Sequence, residues 1–227
     1  MQSVISQDHR EKIEYIVIDG VSTDSTVTIL NDNKKHIDQL LIEADKGIYD
    51  AMNKGLNLAQ GEYVLFLNAG DYLNESNLIS EIESQQDIDI FYSDTLLINP
   101  QGEKLGLRSQ LTTRSLPKTL NKNSFRQGLV TSHQSFIPKK SISTAYIANN
   151  LSADIDWIIN CVSRSNKAFR LSAPISCFLI GGVSDQRKIR SLLDRFKVMV
   201  THFGYIQTLF IHIGFVTRFL RKKPTYR

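Results

Sequence analysis

Residues 43–71 read EADKGIYDAMNKGLNLAQGEYVLFLNAGD, and this stretch decides the fold. It runs from a turn into a helix, stops, and continues as an apolar segment ending in an acidic loop. Ile48, Ala51, Met52, Gly55 and Ala59 recur at the three-to-four-residue spacing of one buried helix face. Gly61 ends that helix, since glycine closes a helix in the left-handed conformation without a side-chain penalty. Residues 63–67, Tyr-Val-Leu-Phe-Leu, form an unbroken apolar run of strand length. Such a run predicts a strand of a parallel sheet covered by helices on both faces. Ligands of these sheets bind beyond the carboxyl ends of the strands, which puts Asn68-Ala69-Gly70-Asp71 at the mouth of the sheet.

The flanking sequence repeats this pattern. Residues 14–19 form a β-branched apolar strand ending in Asp19, and Ser22-Thr23-Asp24-Ser25-Thr26 supplies capping side chains for the next helix. On local grounds Asp19 suits a turn before Gly20 as well as it suits a ligand contact. Residues 37–43 make a second strand leading into Ala44-Asp45-Lys46-Gly47, where the free N–H groups of a helix start favour an anion. Lys46 by itself reads as a solvated loop charge. Residues 88–108 read as a strand and hairpin turning at Asn99-Pro100-Gln101-Gly102. His133 reads as a satisfied core or surface histidine. Residues 152–157 open a helix whose first turn carries Asp154 and Asp156, acids that complement the helix dipole. Residues 174–180 form a last strand, closed by Gly181-Gly182-Val183-Ser184.

IVIDG at 16–20, the STDST run at 22–26, Asp45 with GIYDAMN at 47–53, GEYVLFLN at 61–68 and the acidic loop occur in one order and spacing. Together they resemble the nucleotide-sugar half of family 2 glycosyltransferases with the A-type fold. The resemblance implies an α/β catalytic domain over 1–184 with a mostly parallel, Rossmann-like sheet, followed by a helical appendage over 185–227. It also implies inverting transfer of a sugar from a nucleotide diphosphate, commonly a UDP-sugar, to a hydroxyl acceptor. By the same resemblance Asp19 contacts the nucleotide base, and Asp45, Asn53 and Asn68 lie on the nucleotide-sugar side. Asp71 holds a divalent cation (Mg or Mn), and Asp154 is the general base, with Asp156 the fallback. Asn68 stands where the family usually has the first of two carboxylates; one carboxylate suffices for a cation shared with phosphate oxygens and water. Relatives also carry a central strand ahead of a segment like QSVISQD, which this sequence lacks. The corresponding alternative is an inactive nucleotide-binding remnant or a membrane-surface scaffold.

The chain has 227 residues, 41% of them hydrophobic and 22% charged, which suits a folded domain with one sizeable core. Cys161 and Cys177 are the only cysteines and form no CxxC, pointing to reduced thiols in a cytosolic setting. The first ten residues contain no apolar core of a secretory leader. Net charge is +4, unevenly spread. From Arg187 onward ten Lys/Arg face one acid, Asp194, a surplus of nine that leaves residues 1–186 at −5. Ile189, Leu192, Leu193, Phe196, Val200 and Phe203 follow helical spacing, and residues 198–217 carry no Lys, Arg, Asp or Glu. A basic amphipathic helix, an aromatic-rich helix and Arg221-Lys222-Lys223 suit a peripheral element on the inner face of a membrane. A lipid-linked glycan is then the natural acceptor. The alternative is helices packed on the catalytic body. Nucleic acid is the poorer partner, because the basic residues do not alternate with stacking aromatics.

Overall fold

The structure is a computed structural model that describes residues 1–181 and 188–221. The chain begins with helix α1 (Gln2–Ile5) and strand β1 (Ile16–Asp19), then helix α2 (Thr26–Asp32), strand β2 (Gln39–Ile42) and helix α3 (Ile48–Leu58). Strand β3 (Tyr72–Leu73), helix α4 (Leu78–Glu83) and strands β4 (Ile90–Tyr92), β5 (Thr95–Ile98) and β6 (Lys104–Leu107) follow. Helix α5 (Arg108–Leu111), strand β7 (Phe136–Pro138), helix α6 (Ala153–Arg164) and strands β8 (Ala168–Arg170) and β9 (Ser176–Leu179) complete the body. Two helices end it, α7 (Lys188–Phe203) and α8 (Tyr205–Arg221). The boundary drawn between 184 and 185 lies outside the described residues, as do Arg187, Lys222, Lys223 and Arg227.

The strands form three ladders: β1-β2, β3-β9-β5-β6 and β7-β4-β8. β1–β2, β4–β8 and β5–β9 pair in parallel, and β3–β9, β4–β7 and β5–β6 antiparallel. The mostly parallel sheet is thus matched pair for pair by antiparallel edges. Asn99 to Gly102 turns the β5–β6 hairpin as expected, whereas β4 belongs to a different ladder.

β4 shows why its sequence is apolar on both faces. Ile90 and Tyr92 pack into one core with Trp157, Ile158 and Phe136, while Phe91 faces a second core with Val4, Leu73 and Ile137. All three β4 residues are fully buried, so the strand divides the interior with the period-two alternation of a strand. Burying each such side chain contributes about 1.5–3 kcal/mol.

Two expectations are corrected. The buried face of α3 is Met52 and Leu56, flanked by half-buried Tyr49 and Ala59, and Ile48 is exposed. Gly55 keeps its place on the expected face, since Ile18 of β1 lies 3.6 Å from where its Cβ would stand; Ile48, at the first position of the helix, is the member left in solvent. The run at 63–67 is the second. Tyr63 bridges Lys139 and the Val64 N–H donates to Pro138 O at 3.0 Å, but Leu65, Phe66 and Leu67 join no ladder among the described residues. Their side chains still pack on the two cores, so hydrophobic burial alone holds the segment in place.

The appended helices are present, and their orientation differs from the apolar stripe. Ile189, Leu192 and Leu193 are exposed, while Asp194, Val198 and Met199 are buried against the body. The body explains the choice. It presents polar groups at the start of α6: Asp194 accepts the Leu151 N–H at 3.1 Å, and the Ser152 hydroxyl donates to Ser191 O at 3.3 Å. Unpaired buried polar groups cost more than exposed leucines, so α7 turns its polar residues inward. No helix among the described residues is long and apolar enough to cross a membrane.

Candidate active site

The upstream half of the site is two loops at the carboxyl ends of β1 and β2. Asp19, buried at the end of β1, accepts hydrogen bonds from the Ser22 N–H (2.8 Å) and the Ser22 hydroxyl (2.6 Å). Asp45, after β2, accepts from the Gly47 N–H at 2.8 Å. Its other oxygen lies where a Cβ on Gly20 would stand, so glycine at 20 is what brings the two acidic loops together. Asn53 on α3 faces elsewhere. Its amide donates to Tyr146 O at 2.9 Å and accepts from Tyr146 N–H at 2.7 Å, fastening that segment to the helix.

The downstream half is assembled by one short turn, residues His133–Ser135. Asn68 Nδ2 donates to His133 Nε2 at 3.2 Å. That leaves the ring proton on His133 Nδ1, which faces Asp154 Oδ2 at 3.9 Å. The next residue, Gln134, donates from Nε2 to Asp71 Oδ2 at 2.8 Å. The other Asp71 oxygen accepts the Leu179 N–H of β9 at 2.9 Å. His133 and Gln134 are both buried, so neighbouring side chains of one turn touch two acids on separate elements. The Tyr49 hydroxyl of α3 shares its proton between Asp154 Oδ1 and Leu151 O, each at 3.4 Å, and its ring stacks on Tyr146, which stacks on Trp157.

Burial raises the pKa of Asp71; the Leu179 N–H, the Gln134 amide and the His133 ring act in the opposite direction. Burial together with the Asp154 charge pushes the Tyr49 phenol far above its ordinary range, keeping it a neutral donor. Asp156 lies apart from this cluster. It is buried and accepts from His202 Nε2 of α7 at 2.7 Å and from Asn160 Nδ2 at 3.0 Å.

The structure thus brings Asn68, Asp71 and Asp154 together through the 133–135 turn. It brings Asp19 to Asp45, and leaves Asn53 and Asp156 bonded to other elements. Gln134 carries no mark in the sequence that singles it out, Tyr49 is marked only as a member of the GIYDAMN block, and His133 reads there as an ordinary histidine or, by the family resemblance, as one completing a metal site. The available signal is a polar His-Gln-Ser run directly ahead of a buried strand.

No group of three or more His, Cys, Asp or Glu side chains suited to hold a metal occurs among the described residues. Asp71 is nevertheless a desolvated carboxylate with one protein donor on each oxygen and lone pairs to spare. That donor set fits a cation shared with ligand phosphate oxygens, and does not fit one enclosed by protein alone.

The family model described as Glycosyl transferase family 2 matches residues 1–142. A PGL/p-HBAD biosynthesis glycosyltransferase of Mycobacterium bovis is 35% identical over 91 residues, covering 37% of this chain and 36% of the relative. The match therefore spans about a third of that relative's length. An uncharacterized glycosyltransferase of Haemophilus influenzae is 24% identical over 203 residues, covering 86% of this chain and 79% of the relative. Among solved structures, S. aureus TarS 1-349 in complex with UDP-GlcNAc superimposes with a TM-score of 0.69 at 17% identity. The superposition covers 99% of this chain and 68% of that one. The mannosyltransferase PcManGT from Pyrobaculum calidifontis, in complex with GDP-Man and Mn2+, gives 0.60 at 15% identity over 89% and 57%. At these identities the solved structures speak for the fold.

Proposed function

The chain belongs to glycosyl transferase family 2, and from that premise we propose that it moves a sugar from a nucleotide diphosphate, a UDP-sugar, to a hydroxyl acceptor with inversion at the anomeric carbon. The observation that carries this reading is the 133–135 turn, which draws the acid just ahead of β3 and an acid at a helix start into one cluster. Direct displacement needs those two roles on opposite sides of the sugar. Asp154 accepts the proton of the acceptor hydroxyl as the new bond forms. The Tyr49 hydroxyl and the His133 ring orient that carboxylate. Asp71 would hold a divalent cation, which would supply positive charge against the departing diphosphate. Asp19 and Asp45, drawn together over Gly20, line the nucleotide side; Asn53 instead holds Tyr146, whose ring stacks on Tyr49 on the Asp154 side. TarS binds UDP-GlcNAc and PcManGT binds GDP-Man with Mn2+, which supports a nucleotide-sugar donor and cation use here.

UDP-sugar hydrolysis and transfer in the presence of Mn2+ test the reading. Asp71→Asn is expected to abolish metal-dependent turnover, and Asp154→Asn to abolish transfer while UDP binding persists. Full activity in both variants would sink the assignment. Absence of UDP binding by the unaltered chain would favour the inactive-remnant alternative, which the unladdered segment at 65–67 also motivates.

A second reading concerns location. The exposed residues Ile189, Leu192 and Leu193 of α7 and Ile206, Phe210 and Ile213 of α8 lie on appended helices rich in Lys and Arg. This supports a peripheral seat on an anionic membrane surface, with a lipid-linked glycan as acceptor.

A further inference from the structure

Three arginines from separate segments meet on residues 127–129. Arg108, at the start of α5, donates from Nη2 to Leu129 O at 2.8 Å. Arg195 of α7 donates from Nη2 to Gln127 O at 3.0 Å, and Arg114 bonds the Gln127 side chain. Gly128 lies between them with φ +107, and a Cβ there would overlap the Arg195 guanidinium. The approach is therefore possible only for glycine.

The three cations feel one another. Burial lowers the pKa of Arg108, Asp94 and Asp154 act in the opposite direction, and Arg195 and Arg114 deepen the depression. Burial likewise lowers that of Arg195, with Arg114 adding and Asp154 opposing. Asp94 holds the backbone through Oδ1, which accepts the Thr95 N–H at 2.9 Å and the Ser109 N–H at 3.2 Å. Asp154 is the carboxylate read above as base. Arg108 Nη1 is buried and has no hydrogen-bond acceptor among the described residues. A buried guanidinium donor left without an acceptor, beside two further guanidiniums, calls for an anion.

We propose that Arg108, Arg114 and Arg195 form a subsite for a phosphate-type anion carried by the acceptor, next to the base Asp154. The guanidinium fork suits phosphate oxygens, and closely set cations that repel one another are relieved when a dianion enters. The position beside Asp154 assigns the anion to the acceptor side; in this respect the proposal rests on the reading of Asp154 as base. An acceptor with a phosphate or diphosphate near its reacting hydroxyl would be held there, and a neutral sugar would not. The donor's own diphosphate has the same chemistry, so the test separates the two sources.

The probe is inorganic phosphate, added to the full chain with and without saturating UDP and Mg2+, against chloride at matched ionic strength. Calorimetry and thermal unfolding are the readouts. Phosphate is expected to bind and raise the Tm in both conditions. Binding should weaken at least tenfold in Arg108→Gln and in Arg114→Gln, with UDP affinity unchanged. Arg114 bonds an exposed side chain, so its variant keeps the test open should Arg108→Gln fail to fold. Arg108→Lys should recover only part of the affinity, because a point charge replaces a fork. Three results would overturn the proposal: no phosphate binding by the unaltered chain, binding indifferent to both glutamine variants, or phosphate displaced by UDP with UDP affinity falling in both. The last would hand the cluster to the donor diphosphate. Failure of UDP to bind at all would count against the donor reading, while the arm without UDP would still decide the arginine subsite.

Discussion

Asp71 combines what a sequence can and cannot disclose about a single residue. Its place at the end of a buried apolar run is legible, because an apolar run followed by an acid is a local pattern, although that run joins no ladder among the described residues. Its environment is not, because Gln134 is 63 positions away and a buried glutamine carries no signature of its partner. That environment makes a prediction with a definite sign. Burial raises the folded pKa of Asp71 above the ordinary 3.8 of the unfolded chain. Between those values the folded state holds a proton that the unfolded state has released, so stability rises as pH falls through that window. In metal-free buffer the Tm of the unaltered chain should therefore gain on that of Asp71→Asn as pH drops from neutrality. A constant difference would mean that burial does not penalise the charge. Gln134→Ala removes the donor on Asp71 Oδ2 and should cost about 1–3 kcal/mol in denaturant unfolding. Because Gln134 orients a ligand without touching substrate, a loss of roughly 10–100-fold in metal affinity or turnover should accompany it. Mn2+ affinity unchanged in a folded Gln134→Ala would show that the amide is only packing.

At the scale of elements, periodicity reveals which segments are helices and strands but not always which face is buried. In α3 the stripe keeps Met52, Gly55 and Ala59 toward the body and adds Leu56, while Ile48 at the helix start is left in solvent. In α7 the first half of the apolar stripe, Ile189, Leu192 and Leu193, points outward while Phe203 packs on the core, because the start of α6 supplies polar partners that Asp194 and His202 satisfy. Neither outcome is readable from spacing, since each depends on what the opposing element presents. The Asp156–His202 contact is the firmest tie between α6 and α7: both side chains are buried and the distance is 2.7 Å. His202→Leu leaves the Asp156 carboxylate with Asn160 alone, and removing one member of such a buried pair should cost about 3–5 kcal/mol. The double variant Asp156→Leu with His202→Leu should recover most of that loss, since no buried charge is then stranded. Equal stability of His202→Leu and the unaltered chain would show that α7 is held by Val198 and Met199 instead. Asp156 is thereby a docking residue in this geometry, which leaves Asp154 as the acid facing the cluster.

At the scale of the whole molecule, the charge division is legible in the sequence itself: residues 1–186 carry −5 and the remainder +9. The structure adds that α7 is no detachable tail, because Val198 and Met199 belong to the same core as Trp157. Deleting it would open the catalytic body, so a deletion cannot test membrane binding without confounding it with unfolding. Point changes on the outward face can. Ile189 is 78% exposed, Ile206 72% and Phe210 71%, and a surface of that kind is unusual unless something apolar covers it. Placing these residues in the headgroup region would bury apolar area at roughly 25 cal/mol per Å2, with nearby Lys and Arg adding about 1 kcal/mol each on an anionic surface. The two contributions separate by salt: the basic one fades as the Debye length shortens, and the apolar one persists. Flotation with vesicles containing phosphatidylserine should therefore recover the unaltered chain at low salt and a smaller share at high salt. Ile206→Glu with Phe210→Glu should abolish flotation at high salt and weaken it at low salt, where the basic contribution remains, while leaving the Tm unchanged, because neither side chain reaches the core. Neutral vesicles should bind weakly and without salt dependence. Full solubility of the unaltered chain beside anionic vesicles at low salt would reject the membrane seat, and the outward stripe would then need a protein partner to cover it.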